Sequence, residues 1–168
     1  RYVDPRRFGV LRAYPAGELA RSPELSVLGI DPLAPDFSVE RLIAMLASAR
    51  RDLKGFLLDQ SRLAGLGNIY ACEALFLAGL GPRRRTHRVG AAAAARLFGA
   101  IREVLEAGIR NRGTSFSDYV DAEGDQGSNQ NTLAVYGREG EPCRVCGRKI
   151  RRVVQGARST FYCPGCQK

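Results

Sequence analysis

The sequence predicts a mainly α-helical region followed by a small β-hairpin that binds zinc through four cysteines. Apolar residues recur at helical spacing in several segments between residues 39 and 111, which predicts helices. Two Cys-x-x-Cys pairs stand near the end of the chain with sixteen residues between them, a spacing that suits a zinc-binding hairpin. At the other end, residues 1–14 are predicted to form two strands joined at Asp4-Pro5.

Length and composition limit the class of protein. The chain has 168 residues, 45% of them apolar, so it can bury a modest core and is neither disordered nor fibrous. Its net charge of +9 favours a polyanionic partner such as nucleic acid, with a solvated basic surface as the alternative. No stretch approaches the roughly 20 apolar residues of a membrane span, and no signal peptide opens the chain. We therefore expect an intracellular protein with no membrane partner.

The helical region is predicted element by element. Residues 15–36 contain four prolines and form a connecting segment. Ser38 is a suitable N-cap for a helix over 39–50, and a second short helix is expected over 53–59. A further helix is expected over 69–78 and the longest over 90–111. Along that longest helix, one buried stripe is predicted, formed by Leu97, Ile101, Val104, Leu105 and Gly108. Residues 121–132 are rich in Gly, Asn and Gln and are predicted to form a mobile loop.

The segment Gly65-Leu66-Gly67-Asn68 precedes the third of these helices. Its glycines let a ligand approach the backbone, and the following helix directs unpaired N–H groups toward its own N-terminus. A phosphate fits such a site. An ordinary tight turn capped by Asn68 is the alternative that these four residues leave open.

The two cysteine pairs, Cys143/Cys146 and Cys163/Cys166, predict one tetrahedral zinc site. Two disulfides are the alternative, although disulfides are uncommon in intracellular proteins. Four thiolates leave no open coordination position, so the zinc is expected to be structural. The fifth cysteine, Cys72, lies in an apolar helical stretch and is predicted to be a small buried side chain.

The positive charge is concentrated at the end of the chain. Residues 133–168 contain eight basic and two acidic residues, a net charge of +6. Zinc bound to four thiolates lowers the formal charge of the whole chain by two, to about +7. A basic zinc hairpin is suited to phosphate contacts.

Several motifs together resemble bacterial formamidopyrimidine-DNA glycosylase, and they occur in the family's order from Arg1 to Lys168. The motifs are Asp4-Pro5-Arg6-Arg7-Phe8-Gly9, Leu57-Leu58-Asp59-Gln60, Ala64-Gly65-Leu66-Gly67-Asn68-Ile69-Tyr70, Glu73-Ala74-Leu75, Val135-Tyr136-Gly137-Arg138 and Thr160-Phe161-Tyr162-Cys163. The related endonuclease VIII branch shares the general architecture, but it usually departs just after Gly-Asn. Asn68-Ile69-Tyr70 and Arg6-Arg7-Phe8 favour the first branch.

The resemblance implies a domain organisation. Residues 1–14 would be the terminal strands of an N-terminal β-sandwich domain, and 15–36 a linker. Residues 37–132 would form a helix-two-turn-helix domain that includes a lesion-capping loop at 121–132, and 133–168 the zinc finger. The expected protein is a monomer of the bacterial cytoplasm, associated with the nucleoid. Its partner would be double-stranded DNA that contains oxidised purines or abasic sites.

The implied function is base-excision repair. The family flips a damaged base such as 8-oxoguanine or formamidopyrimidine out of the duplex, removes it and nicks the strand at the abasic site. Arg6 matches the arginine that pairs with the orphaned cytosine, and Phe8 matches the aromatic wedge; from the residues alone, Phe8 would be a core strand residue. Asn68 matches an asparagine that binds phosphates beside the lesion. Gly67 and Tyr136 are expected DNA contacts beside it.

Further site residues follow from the same resemblance. Lys54 aligns with a lysine near the lesion pocket, a solvated helix lysine being the alternative. Arg50 and Arg51 are expected to contact phosphate. Arg158 matches an arginine of the finger assigned to δ-elimination. Because an arginine is a poor proton donor, we interpret Arg158 mainly as an electrostatic clamp on the phosphate leaving group.

The family's nucleophile is an N-terminal proline amine assisted by a neighbouring glutamate. This sequence begins with Arg1 inside a predicted strand, so a processed or truncated product is expected. A polypeptide of these residues alone should bind DNA and zinc without excising a base. Three other functions are alternatives: an endonuclease VIII-like glycosylase for oxidised pyrimidines, a non-enzymatic zinc-finger DNA-binding protein, and a zinc-ribbon protein of the ribosome or transcription machinery.

Overall fold

The structure, a computed structural model, describes residues 9–115 and 126–168. Within these residues, five α-helices precede one antiparallel hairpin. The helices are α1 (Pro23–Ser26), α2 (Val39–Ser48), α3 (Leu53–Leu57), α4 (Asn68–Leu77) and α5 (Ala91–Arg110), and the strands are β1 (Arg151–Gln155) and β2 (Arg158–Tyr162). Short 3₁₀ turns cover Leu19–Arg21, Thr86–Arg88 and Asn129–Thr132. The mainly helical class with a terminal hairpin is confirmed.

Side-chain caps determine where two of the predicted helices begin. The Ser38 hydroxyl accepts a hydrogen bond from the Arg41 backbone N–H at 3.2 Å and caps α2 as predicted. The Asp52 carboxylate accepts one from the Gly55 N–H at 2.8 Å and caps α3. Helix α3 ends at Leu57, two residues before the predicted end. There the Asp59 carboxylate bonds instead to Ser61, which begins a turn.

The core lies between α2, α3, α4 and α5. Its largest fully buried apolar side chains are Phe56, Leu42, Leu46, Leu53, Leu57, Leu63, Leu66, Leu75, Leu80, Leu97 and Ile101. The predicted stripe on α5 faces this core: Leu97, Ile101 and Gly108 are buried, and Val104 and Leu105 are half-buried. Gly108 permits close packing, because a Cβ there would lie 2.4 Å from the Tyr70 hydroxyl of α4.

Two turns connect α3 to α4, and Gln60 holds them together. The Gln60 side-chain amide donates to the carbonyls of Leu58 and Leu66, both at 3.1 Å, and its oxygen accepts from the Gly65 N–H at 2.9 Å. Gly65 has a φ of +81°, which a residue with a Cβ adopts only under strain. The backbone of Ile30 pairs with this turn through a bridge to Leu63. These hydrogen bonds therefore hold the connection between α3 and α4 in place.

The two strands predicted over residues 1–14 fall only partly within the described residues. Residues 1–8, including the Asp4-Pro5 turn, Arg6 and Phe8, lie outside the described residues. The prediction of a strand that continues to residue 14 is wrong, since residues 9–14 have no regular secondary structure. Strands need hydrogen-bonding neighbours, and the described residues provide none here; Val10 and Leu11 are 69% and 85% exposed. Within the predicted connecting segment 15–36, the chain forms a 3₁₀ turn and α1.

The hairpin and the predicted loop complete the fold. Strands β1 and β2 pair from Arg151↔Tyr162 to Gln155↔Arg158, and Gly156 and Ala157 form the turn with φ values of +54° and +59°. Of the loop 121–132, residues up to 125 lie outside the described residues. Residues 129–132 form a 3₁₀ turn and not an irregular loop, because the buried Asn129 side chain bonds to Asn111 and Thr114. None of the described helices has the length and apolar content needed to cross a membrane.

Candidate nucleic-acid interface and zinc centre

The four cysteines of the two Cys-x-x-Cys pairs lie at one point, their Sγ atoms all within 4.8 Å of one another. The Cys143 and Cys166 sulfurs are 3.9 Å apart, and those of Cys146 and Cys163 are 3.4 Å apart. These separations exclude disulfide bonds, which measure about 2.05 Å. They fit a tetrahedron of thiolates around zinc, in which Zn–S bonds of about 2.3 Å place sulfurs roughly 3.8 Å apart. The donor set is therefore that of one structural Zn²⁺, as predicted.

Tight turns aim the first cysteine pair at this point. The Cys143 N–H donates to the Arg148 carbonyl at 2.8 Å, the Gly147 N–H donates to the Cys143 carbonyl at 2.9 Å, and Gly147 has a φ of +73°. Desolvation raises the pKa of Cys143, but backbone N–H groups of Cys146 and Val145 outweigh it and lower that pKa to about 7. A thiol with such a pKa readily supplies the thiolate that zinc requires.

Lys54 connects the helical domain to the finger. Its side chain is fully buried, and Nζ donates to the Thr160 hydroxyl at 2.6 Å and to the Ser159 carbonyl at 3.0 Å. Burial lowers the pKa of Lys54 below its usual 10.5, and the nearby charge of Arg158 lowers it further. The solvated helix lysine considered from the sequence is thus ruled out: this cation is held at the junction with β2.

Asn68 makes a second connection to the same strand. It is the first residue of α4, and its Nδ2 donates to the Ser159 carbonyl at 3.0 Å and to the Tyr136 hydroxyl at 3.5 Å. Its Oδ1 is buried and has no hydrogen-bond partner among the described residues. Gly67 precedes the helix and provides no side-chain cap, so Asn68 is not the cap that the ordinary-turn alternative required. The N-terminus of α4 is left with backbone donors for a ligand.

Glu73 is a residue whose role the sequence reasoning missed. It is 7% exposed, and its carboxylate accepts hydrogen bonds from the backbone N–H groups of Ala134, Val135 and Tyr136 at 2.7, 2.9 and 2.8 Å. The carboxylate therefore fixes the segment that carries Tyr136, whose ring packs 4.9 Å from that of Phe161 on β2. The motif Glu73-Ala74-Leu75 was visible, and a glutamate in an otherwise apolar helix was the available signal.

Arg158 and Arg51 both line a cleft of about 430 Å³, together with Lys54. Both arginine residues are exposed, and among the described residues only Arg51 of the two has an acidic partner, Asp59 at 2.9 Å. No hydrogen bond or ion pair within the described residues engages the Arg158 guanidinium. Arg50 is also exposed, outside the cleft lining. Of the predicted phosphate contacts, the structure thus brings Arg51 and Arg158 together.

Two glutamines dock the finger, and sequence reasoning missed both. Gln155 Nε2 donates to the Asp52 carboxylate at 3.1 Å. Gln167 is 6% exposed; its oxygen accepts from the Cys163 N–H at 2.8 Å, and its amide donates to the Leu80 carbonyl at 3.0 Å. Nothing in the sequence around Gln155 or Gln167 indicated these contacts. Cys72 is buried, as predicted.

The fold and these contacts define a helix-two-turn-helix domain joined to a four-cysteine zinc finger. The sequence model for the formamidopyrimidine-DNA glycosylase H2TH domain matches residues 28–120, and the model for the zinc finger found in FPG and IleRS matches residues 140–168. The chain belongs to the formamidopyrimidine-DNA glycosylase family. The first match covers the helical region, which the alternative of a zinc-ribbon protein does not account for.

Relatives and solved structures agree with this assignment. The chain is 47% identical, over 99% of its length, to formamidopyrimidine-DNA glycosylase of Rhodospirillum centenum, and 53% identical, over 91%, to that of Moorella thermoacetica. It covers 60% and 56% of those proteins. Those proteins are therefore considerably longer than the part that this chain matches.

Among solved structures, the MutM (Fpg) protein of Thermus thermophilus superimposes with a TM-score of 0.91 at 44% identity, over 98% of this chain and 62% of that one. Lactococcus lactis Fpg in complex with abasic-site DNA gives a TM-score of 0.84 at 33% identity, over 91% and 56%. The helical domain and finger thus adopt the arrangement seen in those proteins.

Proposed function

We propose that this chain is the DNA-binding part of a bifunctional DNA glycosylase and abasic-site lyase that removes oxidised purines. One observation carries the proposal: Asn68 and Lys54, from two helices, meet the same β2 residue, Ser159, next to the exposed Arg158. The helix-two-turn-helix domain and the finger therefore present one continuous surface with cations and backbone donors. A phosphate backbone that carries a distorted lesion fits such a surface.

The N-terminus of α4 is the proposed centre of phosphate binding. Gly67 lacks a Cβ and has open space around it, so a phosphate can reach the first N–H groups of the helix. The helix dipole adds positive potential there. A modest rotation of the Asn68 side chain turns Nδ2 from Ser159 toward a bound phosphate. Tyr136, held by Glu73, supplies a neighbouring hydroxyl.

The chemistry proposed for the whole protein is base removal followed by strand cleavage. A neutral N-terminal proline amine attacks the sugar carbon and displaces the flipped base, and the resulting Schiff base promotes β- and δ-elimination. Arg158 stabilises the charge of the departing phosphate; its exposed guanidinium, which has no ion-pair partner among the described residues, is suited to this role. Lys54 lines the same cleft as Arg158, and Arg50 and Arg51 add phosphate contacts.

The remaining assignments rest on the family pattern. Arg6 and Phe8 would fill the space left by the flipped nucleotide, and loop 121–132 would cover the base. We propose residues 37–132 as the helix-two-turn-helix domain, 133–168 as the zinc finger and 15–36 as a linker, with 1–14 belonging to the N-terminal domain but without a strand over residues 9–14. We propose action as a monomer on DNA of the bacterial cytoplasm and nucleoid. Support for the substrate comes from Lactococcus lactis Fpg, which has been solved in complex with Fapy-dG-containing DNA.

A comparison of DNA probes tests this function. The 168-residue chain should bind duplex DNA that contains an abasic analogue more tightly than intact duplex or single-stranded DNA. Substitution of Arg158 by Gln should weaken binding and lower the slope of log affinity against log salt by about one, whereas the exposed Arg144→Gln serves as a matched control. Preference for a particular intact sequence would instead support a regulatory zinc-finger protein.

A further inference from the structure

A second cleft, of about 310 Å³, lies where the chain leaving α4 meets the end of β2. Its lining consists of Gly81, Pro82, Arg83, Arg84, Tyr162 and Lys168. This volume is at the low end of the roughly 300–1,000 Å³ of ligand pockets, which suits one large side chain and not a whole cofactor. We call it the Tyr162 cleft.

The Tyr162 cleft has apolar walls and a fixed frame. Pro82 is buried and Tyr162 is half-buried, and both line the cleft with apolar surface. The Arg84 guanidinium donates to the Arg88 carbonyl at 3.0 Å and to the Lys168 carbonyl at 3.3 Å, and the Gly81 N–H donates to the same Lys168 carbonyl at 2.9 Å. The cleft is thus formed before any ligand arrives, which lowers the entropic cost of binding.

The surroundings of the cleft are positively charged. Arg83 and Lys168 are exposed at its rim. Neither of the two stretches that form it contains an aspartate or glutamate: residues 74–102 and residues 142–168 are free of both. Asp52, whose carboxylate shares the Gln155 amide with the Pro82 carbonyl, lies near the cleft, but Arg83 and Arg84 outnumber it, so the local charge still attracts a ligand with negative charge.

The Tyr162 cleft is separate from the proposed phosphate site. Tyr162 stands four positions along β2 from Arg158, which corresponds to about 13 Å of extended strand. Thr160, with the buried Lys54 bonded to it, occupies the space between them. A phosphate bound at Arg158 does not reach the cleft.

We propose that the Tyr162 cleft docks an acidic peptide segment of another protein that carries one aromatic or large aliphatic side chain. The apolar side chain would enter between Pro82 and Tyr162, and the flanking carboxylates would face Arg83 and Lys168. A DNA backbone satisfies the rim charges but offers nothing apolar to fill the walls, so the peptide matches both properties of the site. The proposal goes beyond the DNA-binding function and does not depend on it.

The test uses the zinc-loaded chain at physiological ionic strength and a fluorescein-labelled peptide of alternating aspartate and glutamate ending in leucine and phenylalanine. We expect saturable binding by fluorescence anisotropy, and a loss of affinity when serine replaces the phenylalanine of the peptide. Arg83→Glu should weaken peptide binding about fivefold or more, because charge reversal replaces an attraction with a repulsion. Arg144→Glu, at an exposed arginine of the finger that does not line the cleft, is the control.

Four outcomes would overturn the proposal. The peptide fails to bind, or its serine version binds equally well, or Arg83→Glu and Arg144→Glu weaken it equally. In the fourth, undamaged or single-stranded DNA displaces the peptide and Arg83→Glu also weakens DNA binding, which would make the cleft part of the nucleic-acid surface. Because peptide and DNA binding are measured separately, failure here leaves the proposed repair function intact.

Discussion

The buried ammonium group of Lys54 donates to the hydroxyl of Thr160, 106 positions further along the chain, at 2.6 Å. The same group also bonds to the Ser159 carbonyl at 3.0 Å. A single side chain of the short helix α3 therefore holds the middle of β2. Through this contact the finger is fixed against α3, and the helical domain and the finger form one surface.

Replacing Lys54 tests that contact. Lys54→Met keeps most of the volume but leaves buried acceptors without their donor, so we expect the free energy of unfolding to fall by about 1–3 kcal/mol at neutral pH. Urea denaturation measures the loss. Lys149→Met, at an exposed lysine of the finger, should change stability little. Equal effects of the two substitutions would contradict the assigned role.

The same variant predicts a pH dependence. Burial lowers the pKa of Lys54 in the folded chain, whereas the unfolded chain keeps the proton up to about 10.5. Between the two pKa values the unfolded state binds more protons, so the wild type gains stability as pH rises through that window. The stability difference between wild type and Lys54→Met should therefore grow as pH approaches 10.5. A constant difference would mean that burial does not perturb this lysine.

Glu73 offers a second test at a buried charge. Glu73→Gln keeps the shape but replaces one acceptor oxygen by an NH₂ group that faces backbone N–H groups, so we expect a loss of about 2–4 kcal/mol. DNA affinity should also fall, because the Glu73 carboxylate no longer holds the backbone segment that carries Tyr136. Glu103→Gln on the exposed face of α5 is the matched control. Unchanged urea midpoints for both variants would refute the role of Glu73.

Metal content distinguishes the structural cysteines from Cys72. Cys143→Ser should abolish stoichiometric zinc binding, unfold the hairpin and remove most DNA affinity, because the finger has little core without its metal. Cys72→Ala should retain one zinc per chain. Plasma mass spectrometry gives the ratio directly. Full zinc occupancy in Cys143→Ser, or its loss in Cys72→Ala, would invalidate the four-thiolate site.

The hairpin turn contains a strained alanine. Ala157 has a φ of +59°, a region that a β-branched side chain adopts at considerable cost. Ala157→Val should lower the free energy of unfolding by about 1–2 kcal/mol, whereas Ala157→Gly should be neutral or slightly stabilising. Thermal unfolding of both variants checks the difference. If valine is tolerated as well as glycine, the turn does not have this conformation in solution.

The sequence was sufficient for local features and insufficient for long-range polar contacts. Helices α2 and α5 followed from apolar periodicity, α2 also from its cap Ser38, and the zinc site followed from cysteine spacing. Glu73 and Gln167 could not be assigned, because they bond to backbone groups 61 and 87 positions away in the chain. Every residue has such backbone groups, so the residue types of the partners do not indicate the contact. The strand predicted to continue to residue 14 failed for a related reason: a strand depends on a neighbour that its own residues do not specify.

The central claim is that the N-terminus of α4 and β2 of the finger form one phosphate-binding surface. Asn68→Asp tests it most directly, because it places a negative charge where the phosphate would bind. Ala95→Asp introduces the same negative charge at an exposed position of α5 to which no DNA contact is assigned. Zinc content and circular dichroism confirm that both variants are folded.

The decisive measurement is the affinity of these two variants and the wild type for duplex DNA with an abasic analogue, at one fixed salt concentration. The account predicts that Asn68→Asp loses about tenfold or more, at least ~1.4 kcal/mol of binding free energy, while Ala95→Asp stays close to wild type. Equal affinities of all three proteins would contradict it.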